Sequence, residues 1–246
     1  MSERPDSPPR FTVVGGPNGV GKSTFVMTLR VAGYPLGRFL NPDDIAQALR
    51  GVQTAREVQA GRGTLRQSRA LIATRTTFSR ESTLSSNEIL RTMQTAKDAG
   101  FAVVLLFIGV SAAETTKRRV QTRVEEGGHD IPEPIQSRRF AKTFTAAGQA
   151  ARIADTALFF DNAGRGHRFV GVVDQGRATY LDHQAVPWIE RATRGVTQEP
   201  VADLTAAVAA ITDPAQRIEA ERLLRTVQRE QAARGRSKQR GRDKDN

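Results

Sequence analysis

Eight consecutive residues, Gly16-Pro17-Asn18-Gly19-Val20-Gly21-Lys22-Ser23, carry the spacing of a phosphate-binding loop: a glycine, four residues, then Gly-Lys-Ser. Glycines let backbone N–H groups converge on phosphate oxygens, and a helix opening at the lysine adds a favourable dipole. In such a loop Lys22 would bridge the β- and γ-phosphates of a nucleoside triphosphate, and the Ser23 hydroxyl would ligate Mg²⁺. Thr24 completes the segment. The motif needs a strand before it and a helix after it. The β-branched run Phe11 to Val14 and the helical pattern beyond Ser23 supply both. Nucleoside triphosphate binding follows; what receives the phosphate does not.

Three other clusters could complete the chemistry. Asn41-Pro42-Asp43-Asp44 reads in two ways: a helix start with Asn41 as N-cap and Pro42 at the first turn, or a carboxylate poised to take a proton from an attacking hydroxyl. Glu81-Ser82-Thr83 combines a carboxylate with two hydroxyls at a strand's end, which suits metal-water coordination and acceptor binding. Between residues 117 and 140 lie Lys117, Arg118, Arg119, Arg123, Arg138 and Arg139, around Gly127-Gly128-His129-Asp130. Basic residues about a glycine-containing bend are what a lid over a triphosphate needs; for most of these arginines a solvated helical face is the better reading, with one or two left for catalysis.

The elements that must position these groups alternate. Strands are expected at Phe11 to Val14, Arg38 to Leu40, Thr76 to Arg80, Phe101 to Val110 and Leu158 to Phe160. Helices fall between them, including one over about 60–73 and others opened by Ser85 with Glu88 and Ser111 with Glu114 at capping-box spacing. Strands alternating with helices predict an α/β fold with a parallel sheet flanked by helices. The unbroken apolar run Phe101 to Val110 suits a central strand; it is about half the ~20 residues that span a bilayer. Phe169 to Val173 and Ala178 to Leu181 flank a hairpin turn, and Asp213-Pro214 opens a C-terminal helix.

The 246 residues hold no cysteine, which excludes disulfides, thiolate zinc sites and cysteine nucleophiles. With glycine counted, roughly 46 % of the chain is apolar, ordinary for a globular protein. The N-terminus has no apolar signal core, so a cytoplasmic location is expected. Of the net +11 charge, Arg234 to Asn246 supplies +4. The organisation expected is a flexible segment 1–9, a phosphate-loop core 10–182 with its lid near 117–140, a helical appendage 183–233 and a disordered basic tail 234–246. Nucleic acid is expected to bind only through that tail, and membrane not at all.

In their order the motifs resemble the zeta toxin family of P-loop kinases, which includes UDP-N-acetylglucosamine kinases. The blocks are Gly16 to Thr24, Asn41-Pro42-Asp43-Asp44-Ile45-Ala46, Glu81-Ser82-Thr83-Leu84-Ser85, Gly127-Gly128-His129-Asp130-Ile131-Pro132-Glu133 with Arg138-Arg139-Phe140, and Phe160-Asp161-Asn162. Together they cover about residues 10–165. The resemblance implies ATP and Mg²⁺ as cofactors and transfer of the γ-phosphate to a sugar hydroxyl of UDP-N-acetylglucosamine or a related nucleotide sugar. It raises Asp43 over Asp44 as general base, matches Glu81 and Thr83 to the acceptor-binding pair, and makes Arg119, Arg123, His129 and Arg139 the lid candidates. It also implies an antitoxin protein as partner. Arg80 departs from the pattern, standing where the family more often has an apolar strand residue. Two other readings fit the same phosphate loop: a kinase for another small molecule or a nucleic-acid end, and a nucleotide-switched protein whose tail binds nucleic acid.

Overall fold

Uninterrupted β-branched and aromatic runs become central strands because both of their faces can be covered. A computed structural model describes residues 8–50, 52–125, 133–164, 166–184 and 186–242. The chain runs β1 (Arg10–Gly15), α1 (Lys22–Val31), β2 (Arg38–Leu40), α2 (Pro42–Gln47), α3 (Gln53–Ala73), β3 (Phe78–Ser82) and α4 (Asn87–Asp98). It continues through β4 (Ala102–Gly109), α5 (Ala113–Glu125), α6 (Glu133–Ile153), β5 (Thr156–Asp161), β6 (Arg168–Asp174) and β7 (Arg177–Leu181). It ends with α7 (Trp188–Ala192), β8 (Thr197–Gln198), α8 (Leu204–Ala209) and α9 (Pro214–Arg242). None of the helices described is long and apolar enough to cross a membrane.

The strands form one sheet in the order β2-β3-β1-β4-β5-β6-β7-β8. The first five are parallel, so helices must carry each crossover over a face of the sheet. This is the α/β fold expected. β6 and β7 turn back as an antiparallel hairpin, and β8 adds beside β7. Gln175 (φ 48°) and Gly176 (φ 74°) at the hairpin tip both have positive φ, the primed turn that matches strand twist.

Alternation along β1 and β4 sorts the two cores. Phe11, Val13, Val103, Leu105 and Phe107 face a cluster shared with Phe78, Met93, Phe144 and Trp188. Val14, Val104, Leu106 and Ile108 face the other, with Phe25, Leu29, Phe160 and residues of α8 and α9. Every residue of β4 is buried, as its apolar run required.

The expected boundary at residue 182 does not divide the packing. Trp188 fills the first cluster against Phe107 and Phe144, each at 5.6 Å between ring centroids. Its Nε1 donates to Asp161 Oδ1 at 3.0 Å. Ala220, Leu223 and Val227 of α9 are buried in the second cluster. The reason is plain: without these residues one side of β6 and the outer side of α1 would be bare apolar surface.

The basic segment expected to be a disordered tail differs too, because α9 runs without a break to Arg242. Alanine, glutamine, arginine and lysine dominate residues 228–242 and favour helix once the preceding turns are anchored. The predicted Asp213 cap is present: Oδ1 accepts from Gln216 N at 2.9 Å. The Ser85–Glu88 capping box is not. The cap residue of α4 is Ser86, with no side-chain cap bond, while Ser85 bonds Thr83 and Glu88 is drawn to Arg80.

Trp188→Ala should lower unfolding free energy by about 3–5 kcal/mol, since it empties an aromatic cavity and orphans an Asp161 oxygen. Met27→Ala, at a residue 56 % exposed, should cost under about 0.5 kcal/mol. Guanidinium denaturation of the two variants makes the comparison; equal losses would contradict the packing role of Trp188.

Candidate active site

Four of the chemistry-bearing segments stand at the carboxyl ends of parallel strands. β1 leads into the loop 16–21, β2 into Asn41–Asp44, β3 into Glu81–Thr83, and β5 into Asn162. β1 lies between β3 and β4, neither of them its neighbour in sequence, and that is where open α/β sheets bind ligands.

The loop approaches its surroundings more closely than a side chain would permit. A Cβ on Gly16 (φ 151°) would lie 2.3 Å from the Ile108 carbonyl oxygen, and one on Gly19 (φ 71°) 2.5 Å from that of Thr116. Gly16 N donates to Ser82 O at 3.2 Å, tying the loop to the end of β3. Lys22, 7 % exposed, curls back so that Nζ donates to Gly16 O (3.1 Å) and Pro17 O (3.0 Å). Glu81 Oε1 stands 3.6 Å from the same ammonium. Ser23 and Thr24 are exposed on the first turn of α1.

Glu81 is buried, and burial pushes its carboxyl up from the ordinary range; Lys22 opposes this, while Asp43 and Asp44 add to it. Its Oε2 is buried without a hydrogen-bond partner. Asp43 and Asp44 are exposed on the first turn of α2, and Asn41 Oδ1 accepts from Asp43 N at 3.0 Å. The helix-start reading is realised: Asn41 caps α2, and the cap holds Asp43 at the rim of the cleft. Thr83 Oγ1 and Ser85 Oγ share a hydrogen bond of 2.8 Å, and Thr143 of α6 donates to Thr83 O at 2.7 Å. Leu84, between them, has φ 56°, a strained conformation for a branched side chain.

A cleft of about 460 Å³ gathers Asn18, Lys22, Asp43, Glu81, Thr83 and Arg139 on its walls. Arg139 Nη2 lies 4.0 Å from Glu57 Oε2. Arg119 is placed elsewhere: its Nη2 donates to Asn162 O at 3.0 Å, on the β5 side of the phosphate loop. The side chain of Arg123 and the whole of His129 lie outside the described residues.

Sequence reasoning missed part of the cleft. Glu57 and Arg62 reach it from α3, a helix with no motif to mark it. Arg80 does not face solvent. It is 6 % exposed, and its two terminal nitrogens grip Glu88 at 2.9 and 2.7 Å. Burial pulls the Glu88 carboxyl up, but hydrogen bonds from Arg80 and then Thr92 outweigh it and hold the carboxyl below its usual range. The signal was Arg80 on a strand of a parallel sheet, a charge that needed an opposite partner nearby.

His167 also went unmarked. It is 2 % exposed and tilted against Phe25 at 4.7 Å, with neither ring nitrogen in hydrogen-bonding geometry. Burial lowers its pKa to about 4; the Gly21 backbone opposes the shift, and Arg234 and Arg119 add to it.

Residues 11–147 match the AAA_33 family, an AAA domain, and the chain belongs to that family. Its fold is the kinase-like P-loop architecture, a mostly parallel sheet flanked by helices. An uncharacterized protein of Haemophilus influenzae is 36 % identical over 131 residues, 51 % of this chain and 88 % of that one. Among solved structures, the AvrRxo1-ORF1:-ORF2 complex with ATP superposes at TM-score 0.59 and 19 % identity, over 90 % of this chain and 77 % of that chain. A structure from the PezAT chromosomal toxin-antitoxin system of Streptococcus pneumoniae gives TM-score 0.50 and 16 % identity, over 65 % of this chain and 70 % of that chain.

The His167 ring yields a pH prediction. Between its unfolded pKa of about 6.5 and its folded value of about 4, the unfolded chain binds the extra proton. Stability from this residue is therefore full above pH 6.5 and lost as the pH falls toward 4. His167→Gln should flatten that part of the stability–pH curve by up to about 3 kcal/mol. An unchanged slope between pH 6.5 and 4 would show that the imidazole is not held neutral.

Proposed function

We propose that this protein is an ATP-dependent phosphotransferase that moves the γ-phosphate to a hydroxyl of UDP-N-acetylglucosamine or a related nucleotide sugar. The observation that carries the reading is the convergence of Lys22, Asp43, Glu81, Thr83 and Arg139 on one cleft beside the phosphate loop. A cleft of about 460 Å³ is in the size range that encloses a small-molecule acceptor. The resemblance of the same five motif blocks to the zeta toxins supplies the acceptor. The fold shared with the PezAT system supports an antitoxin as protein partner.

The chemistry required is in-line displacement, in which the protein contributes position and charge. The backbone of residues 16–21 would cradle the phosphates, and Lys22 would exchange its two carbonyl partners for phosphate oxygens. Asp43, on the exposed rim, would accept the proton of the attacking hydroxyl. Glu81 and Thr83 would orient the acceptor, and Arg139 would offset developing negative charge.

Mg²⁺ fits the residues present. Ser23 is exposed on the first turn of α1, and the unpartnered Glu81 Oε2 is a ready oxygen acceptor for metal-bound water. Ser23, with Glu81 through water, would hold the ion, which when bound supplies charge neutralisation on the phosphates.

Incubation with ATP and UDP-N-acetylglucosamine should give an acceptor heavier by one phosphoryl group on mass spectrometry. Lys22→Ala should abolish it. Asp43→Asn should slow transfer by about 10²–10⁴-fold while ATP affinity stays nearly constant. Wild-type transfer by the Asn variant would remove Asp43 as base. ATP binding without product would redirect the acceptor to other nucleotide sugars or RNA ends.

A further inference from the structure

The acceptor cleft occupies the β2–β3 side of the phosphate loop, with Asp43, Glu81 and Thr83 on its walls. A triphosphate seated in residues 16–23 with its γ-phosphate toward that cleft must carry its nucleoside away from it, toward β4 and β5. There the loop joining β5 to β6 lies directly against the phosphate loop. Asn162 Nδ2 donates to Val20 O at 2.7 Å. The same nitrogen is 2.6 Å, and His167 Nε2 3.8 Å, from where a Cβ on Gly21 would stand.

Two guanidinium groups from distant parts of the chain meet at this loop. Arg119 of α5 donates through Nη2 to Asn162 O, and its Nη1 is buried with no hydrogen-bond partner. Arg234 of α9 brings Nη1 to within 2.9 Å of where a Cβ on Gly166 (φ 102°) would stand, which places its guanidinium against this loop. Both cations act on the same buried imidazole of His167. The turn of α9 that carries Arg234 is pinned on two sides. Gln231 Nε2 donates to His167 O at 3.0 Å, and Thr28 of α1 donates to the Glu230 carboxylate at 3.0 and 3.2 Å.

We propose that Arg234 is a nucleotide-binding residue, supplied by the C-terminal helix and acting with Arg119 on the nucleoside end of the triphosphate. Two planar cations flanking a loop beside the phosphate site suit an aromatic base, which offers a π-face for guanidinium stacking. Helix α9 lies beyond the family match at residues 11–147, so the site gains a wall that the matched segment alone does not build. The inference rests on nucleotide binding at the loop and is independent of the acceptor's identity.

The test is equilibrium binding by the full chain, without acceptor, of a fluorescent ATP analogue, ATP, ADP, adenosine monophosphate and inorganic tripolyphosphate. Arg234→Ala should weaken the three adenine nucleotides about tenfold and leave tripolyphosphate unchanged. Arg229→Ala, also exposed but about 140° around the helix, should change none of them. Arg234→Lys should stay weak, because a point charge restores no stacking plane. Unchanged melting temperatures would separate binding from folding. Equal weakening of tripolyphosphate, or full nucleotide affinity in Arg234→Ala, would overturn the proposal. Lys22→Ala isolates the reading beneath it: that variant should lose tripolyphosphate and ATP alike, and if it loses neither, the phosphate loop itself is not the binding site.

Discussion

An ammonium group buried as deeply as that of Lys22 must be given oxygen partners by the fold, because desolvation costs several kcal/mol per ion. Three arrive from two strands. Gly16 and Pro17 carbonyls come from the loop that follows β1, and the Glu81 carboxylate comes from the end of β3. The loop reaches that shape only where Gly16 can sit on the Ile108 carbonyl of β4. Strand β1 therefore has to lie between β3 and β4, so the centre of the sheet meets the same requirement that seats the lysine. Phosphate oxygens arriving at the loop would exchange with carbonyls already in place, so little of the desolvation has to be repeated on binding.

The parts legible in the sequence were those encoded by short-range physics. The phosphate loop, the Asn41 cap, the apolar run of β4 and the Asp174-Gln175-Gly176-Arg177 turn all depend on neighbours a few residues apart, and each formed where its spacing required. The missing parts depend on distant partners. Ser85 and Glu88 have capping-box spacing, but the pull of Arg80 on Glu88 is a bidentate charged contact and outweighs a cap bond. Arg119 could be grouped with the lid by sequence alone; only the fold separates it from Arg139, since α5 turns one toward Asn162 and α6 turns the other into the cleft. Nothing local marks Glu57 and Arg62 as cleft residues.

The cleft wall mixes charges of both signs. Arg80, Arg139, Arg62 and Lys22 stand among Asp43, Glu57, Glu81 and Glu88 in a single cleft. Arg80 and Glu88 neutralise each other at close range, and Thr92 Oγ1 donates to Glu88 Oε1 at 2.8 Å, so both carboxylate oxygens of Glu88 are partnered. Glu81 is the opposite case, with one oxygen unpartnered beside an ammonium. Unpartnered carboxylate capacity thus stands beside the phosphate loop at Glu81, while the Arg80–Glu88 corner is held by paired charge.

The closure of the second core by α9 has a consequence for how the protein is made. Helix α1 leaves the ribosome early, and about 180 residues separate its end from the start of the helix that covers it. At ordinary elongation speeds of ~5–20 residues per second, the Leu29 side of α1 waits roughly 10–40 s for its cover. During synthesis the sheet can assemble strand by strand while one flank stays greasy. That interval defines when a nascent chain of this protein would need the shelter of a chaperone.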